Sequence, residues 1–269
     1  GGLWGGWKPQ EVANLCWATA RVTGGRAGPL VQRLFCVVAQ GATISSWKGF
    51  SPQELVNALT ALCSAGLAPP LLVRRALGKA EKHRAIFKPQ ELCILLLAAA
   101  RAGAPRAQLR PVLAGALADA VESGLRGYNP IDLSNLLWLL SLPHSVSEAP
   151  RSDAAQEAAR KAEQEASEAE LSACMPFVRA VVAAAKANLE RWAPLQLASL
   201  MISLSRMALT EDGLLRGVCA RWRGWLADAE DPEAQVPPEA VQPQALANLA
   251  IGLARLGHAD AALQRGVCR

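Results

Sequence analysis

The sequence predicts an all-α fold, an α-solenoid of about six helical-hairpin repeats of about 38 residues each. Three observations predict it. A proline-headed segment recurs six times along the 269 residues. Apolar positions inside each segment follow helical spacing. Ala and Leu dominate a chain that is 51% hydrophobic and only 5% aromatic. Both residues keep low-cost rotamers in a helix, so this profile favours helix over sheet.

The six segments begin at Pro9, Pro52, Pro89, Pro130, Pro194 and Pro243. Proline suits the first helical position, where its missing N–H is not needed and its φ is already set. An acidic residue follows two positions later in four of them: Glu11, Glu54, Glu91 and Asp132. Negative charge there complements the helix N-terminus. An aromatic stands two positions before Pro in five: Trp7, Phe50, Phe87, Tyr128 and Trp192. It is expected to pack back on the new helix as a staple does. Apolar residues recur at positions +3, +6, +7 and +10 after Pro, which gives each helix one core face. Gly24, Gly66, Gly103 and Gly257 follow four of the segments and are expected to end the helices in a left-handed cap.

The proline spacings are 43, 37, 41, 64 and 49 residues. The long ones coincide with acidic insertions at about 145–170 and 227–240. Removing about 26 residues around 145–170 and about 11 around 228–238 brings both spacings to about 38, within the range of helical-hairpin arrays. Second helices are expected between the proline helices, over 68–77 and 107–117 among others. One hairpin cannot bury its apolar face alone, so neighbours must stack. The chain is therefore read as one solenoid domain over 1–269. The first insertion, rich in Ala, Glu and Lys, is expected to extend its hairpin as a polar helix.

The net charge of +5 is unevenly spread. Residues 148–170 carry −4 and residues 227–240 carry −5, so the rest carries +14. A basic body suggests a polyanion-binding surface; Arg-rich solvated helix faces account for the same count. The seven cysteines, at 16, 36, 63, 93, 174, 219 and 268, are far apart and form no C-x-x-C pair. They fit a reducing compartment, with neither a zinc site nor a disulfide framework. No apolar run is long enough for a membrane span. Neither an initiator Met nor a signal-peptide pattern opens the sequence, as in a processed protein.

The first unit reads Pro9-Gln10-Glu11, then Asn14, then Trp17-Ala18-Thr19-Ala20-Arg21. Repeated at about 38 residues, this pattern resembles the octotricopeptide repeat. It is similar also to the heptatricopeptide-type repeats of apicomplexan organelle proteins and of the FAST-kinase-like family. The resemblance covers Trp7 to about Leu263 and departs most at Pro194–Arg206, where Ser199 and Ile202 replace Asn and Trp. It implies organellar RNA binding: a mitochondrial or plastid protein that processes, stabilises or helps translate transcripts, or a helical scaffold contacting fragmented rRNA beside other ribosomal proteins.

At 100° per residue, positions +1, +5, +8 and +12 share one helical stripe, opposite the core. The candidate RNA contacts on it are Gln10, Asn14, Arg21, Gln53, Asn57, Arg101, Asn135, Arg206, Asn248 and Arg255. Amides and Arg can read an unstacked base and hold its phosphate. Two roles fit Asn at +5: a base contact, or a ladder satisfying buried groups between repeats. Trp17 and Trp138 fit either stacking or gap filling. Arg at +12 fits either a phosphate contact or the helix dipole. A second basic set holds Arg74 and Arg75, then Lys79, Lys82, His83 and Arg84, with Arg216 further on. The cluster Arg221-Trp222-Arg223-Gly224-Trp225 fits phosphate plus stacking contact, or a Trp-packed helix end.

No catalytic role is expected. His83, His144 and His258 are read as lacking partners at metal spacing, and no phosphate loop or nucleophile motif occurs. No metal, cofactor or small-molecule substrate is expected. Apolar residues interrupt the stripe in units three to five, as at Ile94, Leu97, Ile131 and Ile202. The expected function is thus an architectural rRNA contact rather than a base-reading code; a protein–protein scaffold without RNA is the competing class.

Overall fold

The computed structural model describes residues 6–26, 28–45, 47–142, 153–228, 242–261, 263 and 265. Among them the chain is all-helical, 79% helix without strands. Eleven α-helices run α1 Pro9–Thr23, α2 Pro29–Ser45, α3 Pro52–Ser64, α4 Pro70–Lys82, α5 Pro89–Arg101, α6 Arg106–Glu122, α7 Pro130–Leu140, α8 Asp153–Ala187, α9 Pro194–Arg206, α10 Asp212–Asp228 and α11 Pro243–Arg255. All six motif prolines open a helix. The acidic residue that follows four of them does more than face a dipole. Glu11, Glu54, Glu91 and Asp132 accept hydrogen bonds from the backbone N–H of Lys8, Ser51, Lys88 and Asn129 at 2.9, 2.8, 2.8 and 3.2 Å. The Glu54 and Asp132 backbone N–H groups donate in return to Ser51 Oγ and Asn129 Oδ1, completing capping boxes at α3 and α7.

The chain forms two compact units, Gly1–Asp119 and Ala120–Arg269. In the first, α1, α3 and α5 pack side by side in chain order while α2 packs on α4. In the second, α7, α9 and α11 do the same while α8 packs on α10. Positions +3, +6, +7 and +10 are buried throughout α3, α5, α7 and α9. In α11, Leu246 is half-buried and Ala250 exposed. Three of the five aromatics before Pro, Phe50, Phe87 and Trp192, are buried as expected; Tyr128 is half-buried and Trp7 is exposed.

Side-by-side packing also buries a position that the core pattern leaves out. At +9, Ala61, Ala98, Leu139, Ser203 and Gly252 are buried, whereas Ala18 on α1 is exposed. Gly252 marks the closest approach. A Cβ there would lie 3.0 Å from the Met201 carbonyl carbon and 3.1 Å from the Ile202 nitrogen. Side chains this small let the axes of α9 and α11 come together.

The left-handed caps form at Gly24, Gly66, Gly103 and Gly257, with φ of 59°, 68°, 79° and 65°. After α9 the same cap is made by Ala208, at φ 54°, closed by the Leu209 N–H on the Leu204 carbonyl at 3.0 Å. The first acidic insertion is helical from Asp153 onward and runs without a break into the second helix of its hairpin as α8. The second insertion lies at 227–240, and its residues beyond Asp228 lie outside the described set.

Candidate functional site

The packing of the proline helices decides what the stripe can reach. Positions +1 and +12 lie at the helix ends, and +5 and +8 lie between neighbours. Gln10, Gln53, Gln90 and Gln244 are accordingly exposed at +1, and Arg21, Arg101, Arg206 and Arg255 are exposed at +12. Asn57, Asn135 and Asn248 are half-buried at +5, whereas Asn14, on the outermost helix of the first unit, is exposed. At +8, Leu97 and Ile202 are buried and Trp138 is half-buried. The stripe is thus polar and accessible at its ends and lined with apolar side chains along its middle.

Its best-formed portion lies between the C-terminal halves of α1 and α3. A cleft of about 300 Å³ is lined by Trp17, Arg21, Thr60 and Ser64, the +8 and +12 residues of two neighbouring repeats, together with Gly24 and Gly25. Trp17 is 51% exposed rather than packed between hairpins. The Arg21 guanidinium lies over its ring, 5.6 Å from the centroid, within cation–π range. The Thr60 hydroxyl is buried and makes no hydrogen bond among the described residues. The turn after α1 lies so close to the end of α3 that the Ser64 carbonyl oxygen would lie 3.0 Å from a Cβ at Gly25, whose φ of 77° also suits glycine alone.

The second basic set divides. Arg74 is exposed, as are Lys82 and His83. Arg75 is not a free cation: its guanidinium donates to the Thr43 carbonyl and so ties α4 to the end of α2. Lys79 donates to the Trp47 and Phe50 carbonyls at 3.0 and 2.6 Å. Burial pushes the Lys79 pKa down, with the Glu54 carboxylate opposing. Arg84 makes a two-pronged pair with Asp119 at 2.7 and 3.3 Å. Arg75 thus ties α4 to α2, Lys79 ties α4 to the turn before α3, and Arg84 ties the turn after α4 to α6.

The Arg221–Trp225 cluster is also redistributed. Trp222 is 0% exposed, which removes it from any stacking role at the surface. It packs edge-on to buried Trp225 at 5.6 Å. The reason was present in the spacing: Leu215, Val218, Cys219, Trp222 and Trp225 form one apolar helical face. Arg221 is half-buried with its guanidinium over Trp225 at 4.9 Å. Arg223 is exposed and pairs with Asp260.

The reading of His258 as lacking partners at metal spacing is corrected by its neighbours in the fold. Its donor atoms lie with those of Cys219 and Asp260, all within 4.8 Å of one another. Asp260 is only two residues from His258, and Cys219 arrives from α10. A further cleft of about 470 Å³, between α8 and the turn after α9, is lined by Met175, Val178, Val182, Leu204 and Leu209, with the Lys186–Glu211 pair beside it. No stripe residue lines it. Cys16 and Cys63 are pushed up to about 12 and about 11 by burial, as expected for thiols packed as small hydrophobes. No helix among the described residues is long and apolar enough to cross a membrane. No family model matches the chain, and no curated protein matches it.

Proposed function

We propose that the chain is an α-solenoid of about six hairpin repeats that holds RNA by shape and phosphate, as an architectural protein contacting rRNA in a mitochondrial ribosome. The observation that carries the RNA reading is the cleft between α1 and α3, with exposed Trp17 beneath the Arg21 guanidinium. An unstacked base laid on an aromatic ring gains about 1–3 kcal/mol, and an adjacent guanidinium can take the phosphate. Arg101, Arg206 and Arg255 repeat that cation in the last turn of α5, α9 and α11. The half-buried amides and the apolar middle of the stripe support a grip on backbone and shape over a one-base-per-repeat code. The organelle and the ribosomal setting rest on the repeat resemblance.

A protein–protein scaffold is the second reading. It is favoured by Ile131 and Ile251, which are 53% and 45% exposed on the same stripe. Crosslinking in cells followed by sequencing of bound RNA separates the alternatives. Recovery of rRNA fragments is the expected result. Recovery of messenger transcripts would make the protein a processing or stability factor, and peptides without RNA would overturn the reading.

A further inference from the structure

Three side chains that the RNA reading does not use meet in the second unit. Cys219 is buried within α10. His258 and Asp260 follow the left-handed turn at Gly257 that ends α11, and both are half-buried. The sulfur, an imidazole nitrogen and a carboxylate oxygen all lie within 4.8 Å of one another. We propose that Cys219, His258 and Asp260 bind a zinc ion that fastens the turn after α11 to α10.

The donor set selects the metal. Thiolate with imidazole suits zinc and is foreign to magnesium and calcium, which take oxygen ligands. Zinc holds sulfur at about 2.3 Å and nitrogen or oxygen at about 2.0–2.2 Å, so ligands on a tetrahedron lie roughly 3.3–3.8 Å apart. The observed spread closes by about an ångström, within the reach of side-chain rotation on the 258–260 turn. Three protein ligands leave one coordination position for water or an outside ligand, as in open zinc sites. On binding, the S–Zn bond replaces the S–H bond and the proton goes to solvent. The resulting thiolate and carboxylate balance the charge of the ion.

The carboxylate is already aimed. Asp260 takes the Arg223 guanidinium, one turn along α10 from Cys219, on one oxygen. Its other oxygen accepts the Leu263 N–H at 2.9 Å. A carboxylate offers about four lone-pair positions, and these bonds on its two oxygens orient it. Partners of this kind fix the direction of a metal ligand.

The test uses the full chain stripped by a chelator and titrated with cobalt(II). The expected result is one equivalent bound, with visible bands of a tetrahedral ion and a thiolate-to-cobalt charge-transfer band. Zinc should displace the cobalt and raise the Tm. Cys219→Ser should abolish the charge-transfer band. His258→Gln, at a half-buried position in the turn after α11, should weaken zinc binding roughly 10–100-fold or more and remove the Tm increase. The proposal is overturned by a full chain without the charge-transfer band, or by a band undiminished in Cys219→Ser. Parental zinc affinity in both His258→Gln and Asp260→Asn would also overturn it, leaving Asp260 as an ion-pair partner alone. None of these readouts involves RNA, so the outcome is independent of the RNA reading.

Discussion

At the scale of single residues, backbone conformation and charge burial set two measurable effects. Ala208 occupies the left-handed position that glycine takes after α3, α5 and α11. A Cβ in that region costs roughly 1–2 kcal/mol, against about 0.4–1 kcal/mol for the greater freedom of an unfolded glycine. Ala208→Gly should therefore stabilise the protein by about 0.5–1 kcal/mol in urea denaturation; a lower midpoint would show that the turn is relaxed by other means. Asp132 is buried at the start of α7, and burial raises its pKa, with the hydrogen bond from the Asn129 backbone opposing. A carboxyl with a raised folded pKa contributes stability below its unfolded pKa, about 3.9, and loses it as pH rises through the folded value. Asp132→Asn keeps an acceptor without the charge. The variant should be at least as stable as the parent at pH 7, and its advantage should vanish at pH 3. A loss of stability at pH 7 would mean that the charge at the helix N-terminus outweighs its burial. Cap glycines were legible in the sequence because they follow the last apolar position; the substitute Ala208 was not, since nothing in alanine signals a positive φ.

At the scale of elements, side-by-side packing of the proline helices governs the response to added volume. Gly252 lies against the Met201–Ile202 backbone, whereas a Cβ at Gly78, exposed in α4, meets nothing within 4 Å. Gly252→Val should destabilise by roughly 1–3 kcal/mol, because backbone cannot move aside as a side chain can. Gly78→Ala should stabilise by up to about 1 kcal/mol from helix propensity alone. Thermal melts of the pair give opposite signs if the close approach of α9 and α11 is real, and the same sign if it is not. The core face of these helices was legible from period alone. The burial at +9 was not read, because in α3, α5, α9 and α11 the position holds alanine, serine or glycine, which carry little hydrophobic signal although they permit the contact; only α7 places a leucine there. The same face-counting applied to α10 places Trp222 inside, and adjacency to Arg221 and Arg223 obscured it. Sequence neighbours on a helix point about 100° apart, so Arg223 reaches the surface while Trp222 does not.

At the scale of the molecule, charge distribution sets the expected behaviour toward RNA. The exposed arginines at +12 are spread over both units, at Arg21 and Arg101 in the first and Arg206 and Arg255 in the second. On single-stranded RNA each phosphate contact contributes about 0.7 to the slope of log affinity against log salt. Each Arg→Ala change should lower that slope by about 0.7 and weaken binding to all sequences alike. Trp17→Ala should instead weaken binding at every salt concentration, by about 1–3 kcal/mol, with the slope unchanged. A slope insensitive to all four arginines would place the RNA contact elsewhere, with exposed Arg74 and Arg216 the next cations to change.

The sequence by itself determined the starts of the six proline helices, the glycine-capped ends of four of them and the core face of most, since these depend on proline, caps and a 3.6-residue period, all local in the chain. It also supplied the stripe, as an angular count. Tertiary structure alone decided which stripe positions stay open, because flanking helices cover the middle of a stripe and leave its ends exposed. It committed Arg75, Lys79 and Arg84 to internal bonds across distances of about thirty residues or more, and no local pattern records such pairings. It likewise brought Cys219 to His258 and Asp260 through the turn after α11. Local propensity fixes where a side chain sits on its own helix; only packing between helices fixes what that side chain meets.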